Sequence, residues 1–98
     1  MEAGVIELVM MAALAAGGSV EQDRVCSNWA ASARRVMTAR QEGLPAEELL
    51  RRMGADVDDL VRRTIVEAYR RPRVDGVDRK NQQIADFGDR AFVECMGG

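Results

Sequence analysis

Histidine is absent from the 98 residues, and cysteine occurs only twice. Without histidine the chain cannot build a Ser-His-Asp triad, a Cys-His nucleophile pair or an HExxH metal-binding helix. Two cysteines are too few for a disulfide-rich miniprotein, and with no histidine beside them they cannot complete a four-ligand zinc site. We therefore predict a non-enzymatic protein with no catalytic residues, no metal site and no cofactor.

Proline and aromatic residues are also scarce, at 2 prolines and 4% aromatics, whereas hydrophobic residues make up 47% of the chain. A chain of this length buries about two-thirds of the surface that its unfolded form exposes, which allows one modest core and excludes a two-domain enzyme. The apolar content excludes a disordered chain. No segment shows the alternation typical of a strand, so we expect an all-α domain.

Lysine is nearly absent, because Lys80 is the only one among 14 basic residues. The net charge of −2 hides a pattern: residues 1–23 contain acidic but no basic residues, and residues 24–80 have a net charge of +4. A slightly acidic chain argues against general nucleic-acid binding. We expect a protein partner or a second copy of the chain instead.

The first part of the chain contains an apolar run, residues 5–16, interrupted only by Glu7. A membrane-spanning helix needs about 20 apolar residues, so no membrane span is expected. The run has the length of a signal-peptide core, and residues 13–15 resemble a cleavage site, but the preceding residues are acidic. Residues 1–18 are therefore either a degenerate signal peptide or an N-terminal helix, followed by a helical domain over residues 19–98. The candidate partner-binding residues in this segment are Ile6, Val9 and Met10.

Capping signals divide the remaining chain into helices. Ser19 to Gln22 form a capping box, which predicts a helix start at Ser19. Gly43 is suited to end that helix, Pro45 to occupy the first helical position of the next, and Pro72 to stop the third. The predicted helices cover residues 19–42, 45–53, 56–71 and 78–96, with Asp56 and Asp78 as N-caps.

Three of these helices carry an apolar stripe at helical spacing. The stripe of the first consists of Cys26, Trp29, Ala30, Ala33, Val36 and Met37. The stripe of the third consists of Val57, Leu60, Val61, Thr64, Ile65, Ala68 and Tyr69. The last helix contributes Ile84, Phe87, Ala91, Phe92 and Cys95. We predict that the stripes form the core of a small antiparallel bundle of four to five helices.

Cys26 and Cys95 lie near the start of the first stripe and the end of the last. If those helices pack antiparallel, both sulfurs reach the same end of the bundle, where a disulfide is geometrically feasible. The bridge would contribute about 4 kcal/mol and would form only in an oxidising compartment. The alternative is two separate buried thiols. We predict the disulfide.

Arg70, Arg71 and Arg73 form a basic cluster around Pro72. The cluster has the chemistry to contact phosphates, as in a nucleic acid, or an acidic partner, and we treat its three arginines as candidate partner-binding residues. The simpler structural interpretation is a solvated face whose charges are paired with neighbouring carboxylates.

Two segments, residues 37–45 with the pattern M-x-x-R-Q-x-G-x-P and residues 68–73 with the pattern A-Y-x-x-P-R, lie between the two cysteines. In this order and spacing the chain resembles small uncharacterised helical proteins of proteobacteria and their phages, over residues 26–95. The resemblance implies an exported, disulfide-linked helical domain without an assigned activity.

The function we expect is protein–protein contact by a binding or structural protein of bacterial or phage origin, in the periplasm or envelope. The alternative is a phage protein that acts inside the host or in the virion, as a host-system inhibitor or a particle component. The first hypothesis predicts oxidised cysteines and the second predicts free thiols.

Overall fold

The fold is a bundle of four helices. A computed structural model describes the backbone of residues 2–54 and 57–97 and the side chains of residues 20–54 and 57–97. The helices are α1 (Glu2–Gln41), α2 (Ala46–Met53), α3 (Asp59–Arg70) and α4 (Val77–Cys95), and the described residues form no strand. The prediction of an all-α bundle is confirmed. No helix in this part of the chain is both long and apolar enough to cross a bilayer.

Helix α4 forms the largest interface with α1 and runs antiparallel to it. The disulfide joins Cys26 to the last residue of α4, and the loop that precedes α4 contacts the end of α1 at Gln41. Helix α3 packs on α1 to a smaller extent, and α2 is a short connector beside it. Both ends of α4 are therefore held against α1.

The end of α1 follows the prediction made from Gly43. This glycine has a φ of +85° and donates its N–H to the carbonyl of Arg40 at 3.0 Å, while Leu44 donates to Ala39 at 3.0 Å. This pair of hydrogen bonds is a Schellman motif, in which glycine is favoured because it lacks a Cβ. Helix α3 ends at Arg70, and the extended backbone of Arg71 before Pro72 agrees with the predicted stop.

The predicted start of α1 is wrong. The helix begins at Glu2 and continues through Ser19, so Ser19 is not an N-cap. Each of the two glycines before Ser19 costs about 1 kcal/mol in a helix relative to alanine, but the surrounding alanines, leucines and methionines are strong helix formers. A capping sequence alone therefore does not start a helix when the preceding residues favour helix as well.

The other helix starts differ from the prediction by one to three residues. Asp56 lies outside the described residues, and the N-cap of α3 is Asp58, whose Oδ1 accepts the N–H of Val61 at 2.9 Å. Pro45 is the N-cap of α2 rather than its first helical residue. Gly76 precedes α4, so Asp78 lies in its first turn instead of capping it. Several aspartates compete to cap here, and pattern alone does not choose among them.

The predicted stripes form the core, with one exception. The central buried cluster consists of Ala33, Val36, Met37, Ile65, Ala68, Phe87 and Ala91. Trp29, Val61, Tyr69 and Ile84 are partly buried against it. Leu60 was predicted to be buried but is 49% exposed, because only the later turns of α3 pack on α1.

The close approach of α1 and α4 depends on Gly88, a residue that the sequence analysis did not single out. Gly88 is buried, and a Cβ placed there would lie 2.5 Å from Cγ of Arg34. The aliphatic part of Arg34 therefore crosses α4 at this glycine. The apolar stripes give no signal for this contact, because they are defined by apolar side chains and Gly88 has no side chain.

Candidate functional site

The disulfide is the centre of one end of the bundle. Cys26 and Cys95 are bonded with a Cα–Cα distance of 5.4 Å, and no free cysteine remains. Gln22 lies one turn before Cys26 and donates its Nε2 to the carbonyl of Cys95 at 3.1 Å. The glutamine predicted to cap α1 therefore satisfies a carbonyl at the C-terminal end of α4 instead.

An open groove of about 380 Å³, here called the disulfide groove, lies beside this bond. Val25, Trp29 and Leu60 supply its apolar surface, and Val25 and Leu60 are both about half exposed. The remaining lining residues are Asn28, Ser32, Glu94 and Cys95. Trp29 was predicted to belong to the core, and it is partly buried and also lines this groove.

Gln41 organises the opposite end of the bundle. Its side chain is 1% exposed, and its Oε1 accepts the N–H of Val74 at 2.9 Å. Its Nε2 donates to the carbonyl of Pro72 at 3.1 Å and lies 3.5 Å from the sulfur of Met37. One buried amide thus connects the last turn of α1 to the loop between α3 and α4.

Two arginines connect the same elements through backbone carbonyls. Nε of Arg40 in α1 donates to the carbonyl of Arg71 at 3.0 Å, and Nε of Arg73 donates to the carbonyl of Gln41 at 3.3 Å. Arg40 therefore reaches the C-cap residue of α3, and Arg73, in the loop after α3, reaches the last residue of α1. Positive charge is favourable there because helix C-termini carry partial negative charge.

The three arginines of the predicted cluster have different contacts in the structure. The guanidinium of Arg71 stacks on the ring of Phe87, with 5.0 Å between Cζ and the ring centroid, and Arg73 is engaged at Gln41. Arg70 lines a groove. The expected salt-bridged face is also not formed, because the ion pairs among the described residues join Arg24 to Glu21 and Arg51 and Arg52 to Glu48.

Arg70 borders a second groove of about 370 Å³ between α2 and α3, here called the arginine groove. Its apolar floor consists of Ala46, Leu50, Ile65, Val66 and Tyr69. Arg62 and Arg70 are its charged residues, and both are exposed. The groove therefore combines an apolar surface with positive charge, an arrangement suited to contact with an acidic protein surface.

Tyr69 is held in the wall of the arginine groove by its hydroxyl, which donates to the carbonyl of Leu44 at 2.7 Å. Partial burial raises the pKa of Tyr69 above its ordinary value near 10, and the Arg40 guanidinium, 5.4 Å from the ring centroid, acts in the opposite direction. Because the pKa of Tyr69 is higher in the folded than in the unfolded chain, the neutral phenol stabilises the fold. This contribution is fully present below about pH 10 and is lost as the pH rises through the folded pKa.

We expect this shift to be measurable, since the chain has a single tyrosine. Absorbance titration of the phenolate should give a higher pKa in the folded protein than in urea. Tyr69→Phe should lower the free energy of unfolding at pH 7 by about 1 kcal/mol through loss of the hydrogen bond. Equal folded and unfolded pKa values would contradict the proposed burial of this hydroxyl.

Arg40 and Gln41 are supporting residues that were not predicted from the sequence, and Gln22 was predicted in a different role, as part of a capping box. Position in the last turn of a helix was an available signal for Arg40, because basic residues there reach backbone carbonyls. For Gln41 the signal was weaker: a polar residue four positions after the buried Met37 lies on the same face. The contacts of Gln22 depend on where α4 ends, which no local pattern shows.

The predicted partner-binding residues Ile6, Val9 and Met10 lie outside the residues whose side chains the structure describes. Among the described residues, no three histidine, cysteine, aspartate or glutamate side chains are placed to hold a metal ion. Comparison with protein-family models, curated proteins and solved structures finds no match to the chain.

Proposed function

We propose that the protein is a non-enzymatic binding or structural protein of bacterial or phage origin that acts by protein–protein contact in the periplasm or envelope. The observation that carries this proposal is the disulfide groove. Its exposed Val25 and Leu60 flank the single tryptophan, and tryptophan is among the residues that contribute most to protein interfaces. The disulfide at its edge supports an oxidising compartment.

Affinity capture with two matched variants tests the contact. Leu60 and Val77 each lie in the first turn of a helix and are 49% and 74% exposed, but only Leu60 lines the groove. A glutamate is tolerated in a first turn because of the helix dipole. We expect the oxidised full-length chain to retain a defined envelope protein, Leu60→Glu to lose it and Val77→Glu to keep it. Equal retention by all three proteins would contradict the proposal.

The compartment is tested separately by the state of the thiols. Alkylation of the protein directly in the cells that produce it should find no free thiol if the chain is exported. Two free thiols would instead favour the hypothesis of a phage protein that acts inside the host. Purification before alkylation must be avoided, because air would oxidise the pair.

A further inference from the structure

The arginine groove has the geometry of a site for a charged helix. Arg62 and Arg70 are eight residues apart on α3, which corresponds to about 12 Å along the helix axis. Val66 lies between them and is 48% exposed. The two guanidinium groups therefore stand near opposite ends of a row that has an apolar side chain at its centre.

Arg62 and Arg70 differ from Arg40, Arg71 and Arg73 in what they contact. Arg40, Arg71 and Arg73 are engaged by backbone carbonyls or aromatic rings. Within the part of the chain that the structure describes, none of the ion pairs includes Arg62 or Arg70. No carboxylate of the described residues is therefore bound to either guanidinium group of the groove.

The apolar floor decides which kind of polyanion fits. Nucleic acids are held mainly through phosphates and stacked bases, and they would leave the aliphatic floor at Leu50, Ile65 and Val66 poorly matched. An amphipathic helix places apolar side chains in such a groove and acidic ones at its rim. Carboxylates also accept hydrogen bonds from guanidinium groups in a bidentate geometry.

We propose that the arginine groove binds an amphipathic helix of another protein, whose acidic side chains are about two turns apart and flank its apolar residues. The proposal rests on the proposed function only in that the protein acts by contact with other proteins. It concerns a different surface from the disulfide groove, so the two proposals can fail separately.

The test uses two synthetic helical peptides and the full-length oxidised chain. One peptide carries glutamates about eight positions apart with leucines between them, and the other carries lysines in place of the glutamates. We expect the acidic peptide to bind at least about tenfold more tightly at low salt, as judged by fluorescence anisotropy. The double variant Arg62→Glu, Arg70→Glu should reverse this preference, which a merely unfolded protein would not do.

A second double variant, Arg63→Glu with Arg90→Glu, changes the net charge equally at exposed positions outside the groove and should keep the preference of the native chain. The proposal is wrong if the acidic peptide does not bind, if both peptides bind equally, or if the control variant reverses the preference. It is also wrong if a DNA oligonucleotide displaces the peptide and its binding requires Arg62 and Arg70. A native dimer that Val66→Glu converts to monomer would assign the groove to a second copy and would also overturn it. Loss of peptide binding with retained Leu60-dependent capture leaves the proposed function intact.

Discussion

Replacing both cysteines by alanine, Cys26→Ala with Cys95→Ala, is expected to lower the free energy of unfolding by about 4 kcal/mol. The bond joins residues 69 positions apart, so its loss returns a large loop-closure entropy to the unfolded chain. Domains of this size have total stabilities of roughly 5–15 kcal/mol, so the variant should be close to unfolding at 37 °C. Urea denaturation followed by circular dichroism measures the difference.

The control for this experiment is reduction of the native chain. Reductant should shift the native midpoint towards that of the double variant and leave the variant itself unchanged. An unchanged native midpoint would show that the bond contributes little to stability. Alanine is preferred to serine because Cys26 is fully buried and serine would introduce a polar hydroxyl into the core.

The loss of stability should be concentrated at one end of the bundle. The last turn of α4 is tied to α1 by the disulfide and the Gln22 hydrogen bond, whereas its first turn follows the loop held by Gln41. In the reduced chain the amides of residues 91–95 should exchange fastest. Emission from Trp29 should shift to longer wavelength, because Cys95 helps to line the same groove.

Apolar periodicity and helix stop signals were sufficient to predict the core and most helix ends. The stripe from Cys26 to Met37 is buried or partly buried as predicted, and Gly43 and Pro72 end their helices. Helix starts were less accurate, because several capping residues lie close together and helix formers precede Ser19. Apolar stripes also define core faces only, so they gave no signal for a groove between helices.

Most of the candidate site could not be predicted from the sequence, because closeness along the chain does not show which side chains share a surface. Arg70, Arg71 and Arg73 are close together in the chain, but the chain leaves the helix at Pro72 and their side chains have different contacts. Arg70 lines a groove, Arg71 lies over the Phe87 ring, and Arg73 donates to the carbonyl of Gln41. Arg62 and Arg70 are separated in the chain but lie on one face of α3. Clustering in the sequence therefore grouped three arginines that have different contacts in the structure, and it did not pair Arg70 with Arg62.

Gln41→Glu is the single substitution expected to have the largest effect, a loss of about 3 kcal/mol at pH 7. The native amide is buried and uses both of its ends, accepting from Val74 and donating to Pro72. A carboxylate keeps the acceptor but cannot donate, so an oxygen would face the Pro72 carbonyl in a poorly solvated site. Thermal or urea unfolding at several pH values measures the cost.

The pH dependence distinguishes this mechanism from simple loss of packing. Burial and the facing carbonyl favour the neutral form of the introduced carboxyl group and raise its pKa above the ordinary value of about 4.3, although the nearby guanidinium groups of Arg40 and Arg73 limit the rise. A raised folded pKa means that the contribution of this carboxyl group to stability is fully present below the unfolded pKa and is lost as the pH rises through the folded value. The difference in free energy of unfolding between Gln41→Glu and the native chain should therefore become smaller at acidic pH.

Gln41→Met provides the matched control, because it has a similar length and no titratable group. It leaves the Val74 N–H and the Pro72 carbonyl unpaired, which should cost about 2 kcal/mol at every pH. If the free energies of unfolding of the two variants change with pH in the same way, the hydrogen bond to Pro72 is unimportant and Gln41 acts by packing alone. The expected result is that the free energy of unfolding of Gln41→Glu approaches the native value in acid, whereas that of Gln41→Met does not. This result would identify the hydrogen bond donated to Pro72 as the link between α1 and the loop before α4.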